Sequence, residues 1–216
     1  MTLFLFYAIV VVLGVLSMGF QMLASRLLGP QFGSTIVEWG WLIATFLAAF
    51  STGSILGGWI SNRAPARRQR LQIATAAVCL GALTVTVFFG KPLLEWLSLE
   101  FIPNVSDLDD QSGGGMNRAL FVSCLSLFFV PVAALSTFGP QCVGWLAARG
   151  KPSGLASGVV YGVSTLGNIV GVMLTGFFLI PRYGVSRLLE GWLIVAAASL
   201  TALIILLRRA TPPSSP

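Results

Sequence analysis

The sequence predicts an all-α, polytopic integral membrane protein with six transmembrane helices in one bundle. Three observations carry this. Apolar stretches at about 3–23, 33–60, 71–89, 119–147, 153–180 and 188–207 are each near the length that crosses a bilayer, about 20 residues at roughly 1.5 Å of rise each. Only 9% of the residues are charged and 56% are hydrophobic, with mean hydropathy +0.87, where a soluble domain carries about 25% charge. The net charge of +6 sits in short segments between spans. That pattern is an orientation signal and an attraction to anionic headgroups, not a nucleic-acid footprint.

The first span, 3–23, superficially resembles a secretion signal. It lacks a basic start and a small-residue cleavage site and runs on into apolar sequence, so it reads as a retained helix. It is expected to stop at Arg26 and the breaker pair Gly29 and Pro30. The short connector 29–34 then makes the first two spans antiparallel neighbours. In the second span Gly53 and Gly57 share a face by i, i+4 spacing, where another backbone can approach closely. Arg63, Arg67, Arg68 and Arg70 follow as a basic loop.

The third span, 71–89, is apolar and short of features. The long polar segment 90–117 holds five of the seven acids: Glu95, Glu100, Asp107, Asp109 and Asp110. Within it 93–99 has helical spacing, suited to lie on the membrane surface with Trp96 at headgroup level. The DLDDQSGGG piece reads as a flexible loop without the calcium-loop spacing of Gly and Glu. In the fourth span, 119–147, Pro131, Gly139 and Pro140 predict kinks. The fifth, 153–180, carries Gly154, Gly158, Gly162, Gly167 and Gly171, a small-residue ridge that reads as an interhelical seam. The sixth, 188–207, is followed by a Pro/Ser tail, 208–216, expected to be disordered and cytoplasmic.

Six spans put both termini on one side. That side holds eight positive residues: Arg63, Arg67, Arg68, Arg70, Arg149, Lys151, Arg208 and Arg209. The other holds five: Arg26, Lys91, Arg118, Arg182 and Arg187. The excess places both termini in the cytoplasm and the acidic segment 90–117 outside.

Chemistry is scarce. The chain has no histidine, which removes His-bound metal, His-ligated haem and any Ser-His or Cys-His pair. Cys79, Cys124 and Cys142 are dispersed inside apolar runs and read as packing residues. No cofactor, no metal and no catalysis are expected. The ionisable residues near membrane depth, Arg26 and Glu38, flank one short connector and are expected to pair with each other. Uncharged polar candidates are Gln21, Gln141, Tyr161, Ser164, Thr165 and Asn168. Of these, Tyr161, Thr165 and Asn168 share a face by i, i+4, i+7 spacing.

Two segments, QMLASRLLGPQFGST…ATFLAAFSTGSILGGWISNR and YGVSTLGNIVGVMLTGFFLIPRYGVSRLL, resemble the membrane domain of bacterial spermidine-synthase-like (fused major-facilitator/spermidine synthase) membrane proteins. GGWISNRAPARRQR is similar to the loop after the second helix of major-facilitator transporters, with Asn62 where that motif has its Asp. The resemblance implies a half-major-facilitator-like bundle in a bacterial inner membrane and a separate soluble synthase-like protein as a possible partner. It carries over no catalytic residue, since the chain has no strand–GxGxG–helix unit. The expectation is a non-catalytic membrane subunit working in a homo- or hetero-oligomer. The alternative is a transporter of a small polar, polyamine-like solute acting as a dimer of six-helix halves, with Gln21, Arg26, Glu38, Gln141, Tyr161, Thr165 and Asn168 as candidate binding residues.

Overall fold

The computed structural model describes residues 2–101 and 114–208. These contain six helices long and apolar enough to cross a bilayer, and the protein is a multi-pass membrane protein. We label them α1 (Thr2–Phe32), α2 (Ile36–Ser61), α3 (Pro65–Phe101), α4 (Gly115–Ala147), α5 (Ser153–Tyr183) and α6 (Val185–Arg208). The DLDD acids and the tail beyond Arg208 lie outside the described residues.

Several helices outrun their expected ends. α1 continues past Arg26, Gly29 and Pro30 to Phe32. In the last turn Pro30 withholds only its own amide, and the stop comes from Gly33, whose φ of 73° suits the left-handed residue that closes a helix. α3 starts at Pro65, so Arg67, Arg68 and Arg70 ride on its first turns instead of forming a loop. It also runs through Pro92 to Phe101, with Leu94 and Leu97 buried in the bundle. The 93–99 segment is therefore the upper part of a spanning helix, not a separate surface helix. Much of the expected loop 90–117 is helical, because its apolar spacing matches the core.

Prolines do distort the fourth span. A wider π-type turn at Leu125–Phe129 precedes Pro131, and Thr137 interrupts the helix ahead of Pro140. A second π-type turn, Leu174–Leu179, precedes Pro181 in α5. Both sites fit the same cause, since a proline ring crowds the carbonyl four residues back and widening the turn relieves it. Pro131 has no amide for the Leu127 carbonyl, and Thr86 of α3 donates its hydroxyl there at 2.8 Å.

The tightest packing joins helices that are not neighbours in sequence. Gly14 of α1 lies against Ser164 and Asn168, while Gly167 and Gly171 of α5 lie against Val11 and Val15. Numbers rise together along both helices, so α1 and α5 are parallel and in backbone contact. α2 and α4 form a second parallel pair, where Gly53 meets Ala133 and Ser136 and Gly57 meets Thr137. α1 also touches α2, but its main partner is α5. Phe20, Phe46 and Phe128 close the centre between α1, α2 and α4, with ring centroids 5.8–6.4 Å apart. On the far side of α1, the Trp192 indole of α6 donates to the Leu16 carbonyl at 3.1 Å.

Burial separates the centre from the edge. In α4, 61% of the apolar window is buried, against 17% in α5. α5 is an outer helix held by α1 and by the second half of α4. The three cysteines are free and buried, as expected of packing residues.

Candidate functional site

A cavity of about 210 Å³ lies between α1, α2, α4 and α5. Its polar wall is made of Ser17, Ser54, Ser136, Tyr161, Ser164 and Asn168, set among apolar groups such as Met18 and Phe50. The glycine contacts create it. Where Gly14 and Gly167 bring α1 and α5 together, Ser17 follows Gly14 on α1 and Ser164 precedes Gly167 on α5, and both line the cavity. Ser136 donates to the Ala133 carbonyl at 3.0 Å and the Ala49 carbonyl at 3.3 Å, so it is held within the α2–α4 contact. The Asn168 Oδ1 is buried with no hydrogen-bond partner. A buried acceptor in that state wants a donor, and the cavity is where one would sit.

The seven candidate residues do not converge. Tyr161 and Asn168 border the cavity. Thr165 is exposed and returns its hydroxyl to the Tyr161 carbonyl at 2.8 Å, satisfied by its own helix. Gln141 is buried in α4, its Nε2 donating to the Thr137 carbonyl at 3.0 Å while its Oε1 has no partner. Gln21 is half-buried on α1, away from the cavity wall.

Arg26 and Glu38 are both present near the same connector, but the expected ion pair does not form. Arg26 is exposed on α1, whereas Glu38 is 0% exposed and neither carboxylate oxygen has a hydrogen-bond partner. Ser25 occupies the inward face that Arg26 would need. The carboxylate has a structural explanation in the helix start. Thr35 caps α2, extended at φ −103° and ψ 163°, and its hydroxyl accepts the Glu38 amide at 3.2 Å. Thr35 and Glu38 thus have the spacing of a capping box, and the positive end of the α2 dipole offsets part of the charge. Ser25, Arg26 and the Thr35 backbone stand around the carboxylate without closing a bond to it.

The glycine ridge of α5 is divided. Gly167 and Gly171 bear on α1, so a Cβ at either would meet backbone. A Cβ at Gly154, Gly158 or Gly162 would meet nothing within 4 Å among the described residues. Beside those glycines, Leu155, Tyr161, Leu166 and Ile169 are exposed.

Sequence reading missed Ser17, Ser54 and Ser136. For Ser17 and Ser54 the available signal was their closeness in sequence to Gly14 and Gly53, whereas Ser136 meets Gly53 only through the α2–α4 contact. It also passed over the T-x-x-E pattern at Thr35 and Glu38, which accounts for the deepest charge in the first half of the chain. Comparison of the chain with family models, curated proteins and solved structures finds no match.

Proposed function

We propose that the chain is a non-catalytic integral membrane subunit that packs with a partner chain along the outer face of α5. The supporting observation is the open half of the glycine ridge: Gly154, Gly158 and Gly162 recur every four residues, and a Cβ at any of them would meet nothing among the described residues. In lipid, helices associate through close van der Waals packing because burying apolar surface brings no gain, and small residues are what permit that approach. The partner is a second copy or a different chain. The resemblance to spermidine-synthase-like membrane proteins supports a half-major-facilitator-like unit and makes a separate soluble synthase-like protein one candidate. The same resemblance supports a bacterial inner membrane, and the positive-charge count supports both termini on its cytoplasmic side.

The test is native mass spectrometry of the protein extracted in nanodiscs, with Gly158→Leu and Gly162→Leu alongside. The expected result is a stoichiometric complex that falls to a lone, still folded chain in both variants. A wild-type chain that is always alone, or variants that assemble normally, overturns the proposal.

The cavity favours a second reading, a transporter of a small polar, polyamine-like solute acting as a dimer of six-helix halves. Tyr161 both lines the cavity and adjoins Gly162, so a partner on the ridge would border the cavity mouth. Spermidine uptake into proteoliposomes tests it, with Tyr161→Phe and Asn168→Leu as controls. Uptake no greater than in protein-free vesicles removes this reading.

A further inference from the structure

At the end of the bundle where α1 and α3 finish and α6 begins, a second cavity of about 390 Å³ is lined by Arg26, Gln31, Lys91, Glu95 and Ser186. Two cations and one carboxylate face the same space without neutralising each other. Lys91 and Glu95 are i, i+4 neighbours on α3, yet the Lys91 Nζ donates to the Ser186 hydroxyl at 2.8 Å, which turns the ammonium toward the first turn of α6. Arg26 and the Glu95 carboxylate make no ion pair among the described residues. The first turn of α6 contains no acidic residue, so its free amides remain electropositive.

The level of this cavity in the membrane is marked. Trp96, beside Glu95, is 58% exposed, and an outward Trp near a span's end sits at the headgroup boundary. Leu27, Pro30 and Val185 complete the lining with apolar surface. A ligand suited to this arrangement carries an anion for the Lys91, Arg26 and α6 side and a primary ammonium for Glu95, a few bonds apart, with an apolar remainder.

We propose that this cavity binds a zwitterionic phosphate–amine group of the phosphoethanolamine type, presented by a membrane lipid. The phosphate oxygens accept from Lys91, Arg26 and the start of α6, and the ammonium donates to Glu95. The site stands apart from the α5 face, so its failure would leave the assembly proposal untouched.

The experiment is native mass spectrometry of the full chain from nanodiscs holding equal amounts of phosphatidylethanolamine and phosphatidylglycerol. The wild type is expected to retain the amine-bearing lipid preferentially. Arg26→Gln with Lys91→Gln should lower that retention about tenfold or more, the loss expected when charge-assisted bonds to phosphate go. Glu95→Gln should remove the preference between the two lipids while leaving retention itself. All three positions are exposed, so the variants should elute and melt as the wild type does. Equal retention of both lipids by the wild type, or unchanged adducts in the double variant, overturns the proposal. Displacement of the lipid by free phosphoethanolamine would instead assign the site to a soluble ligand and overturn the lipid source.

Discussion

The hydroxyl of Thr86 on α3 donates to the carbonyl of Leu127 on α4 at 2.8 Å, and Leu127 stands four residues before Pro131. The same hydroxyl faces the Ala82 carbonyl of its own helix at 3.1 Å. A proline in a membrane helix exposes an acceptor that lipid cannot satisfy, and here a side chain on the neighbouring helix supplies the donor. Thr86→Val keeps the volume and removes the donor. We expect it to lower unfolding stability in detergent by about 1 kcal/mol, with Thr86→Ser close to wild type. A valine variant that melts with the wild type would show that the carbonyl needs no outside donor.

The divided ridge of α5 makes opposite predictions for one kind of substitution. Gly167→Ala places a methyl against the Val11 backbone of α1. Neither helix can yield without losing the parallel contact, so a loss of about 1–3 kcal/mol is expected. The methyl of Gly158→Ala meets nothing among the described residues, and relief of glycine's helix penalty should raise the stability of the isolated chain by up to about 1 kcal/mol. Chemical unfolding of both variants, in a detergent that holds the chain alone, checks the pair. Equal losses in both would mean that the two halves of the ridge are packed alike.

These residues also show what the sequence made legible. Six spans follow from composition and length, because a bilayer demands about 20 apolar residues whatever the neighbours are. Helix ends were less legible. Pro30 and Pro92 look like stops, but each removes one amide, and the buried Leu94 and Leu97 outweigh it in α3. Partner choice was not legible. The ridge at Gly154–Gly171 announces a close contact without saying that α1 takes only its second half. The same holds for Arg26, whose spacing from Glu38 fits a pair until the helix rotation sets Ser25 inward and Arg26 outward.

The α2 start gives a test of whether the Glu38 charge or the Thr35 cap matters more. Thr35→Ala removes the acceptor for the Glu38 amide and should cost about 1 kcal/mol, the usual value of an N-cap hydroxyl. Glu38→Gln keeps the shape and discards a buried charge with no hydrogen bond, so it should leave stability unchanged or raise it. Exchanging the two residues as Arg26→Glu with Glu38→Arg should not rescue either single change, since they form no ion pair. Thermal midpoints of these variants, of Arg26→Glu and Glu38→Arg singly, and of the wild type decide it. Recovery in the double exchange would show that the pair forms in the membrane after all.

Asn168 separates a structural cavity from a ligand site. Its buried Oδ1 has no partner among the described residues, so an empty cavity gains from losing it. Asn168→Leu replaces an orphaned acceptor with a side chain of similar size, and the melting midpoint should rise by the equivalent of about 1 kcal/mol. If a polar solute supplies the missing donor, the wild type should also melt higher when spermidine is added, and Asn168→Leu should lose that shift. Binding to the folded state alone adds RT ln(1 + [L]/Kd), about 2.7 kcal/mol at a hundredfold excess over Kd. Tyr161→Phe, which keeps the ring beside Gly139 and drops the hydroxyl, should weaken the solute shift without moving the solute-free midpoint. A rise in Asn168→Leu with no solute effect on any of the three proteins would assign the cavity to packing and leave the α5 face as the functional surface.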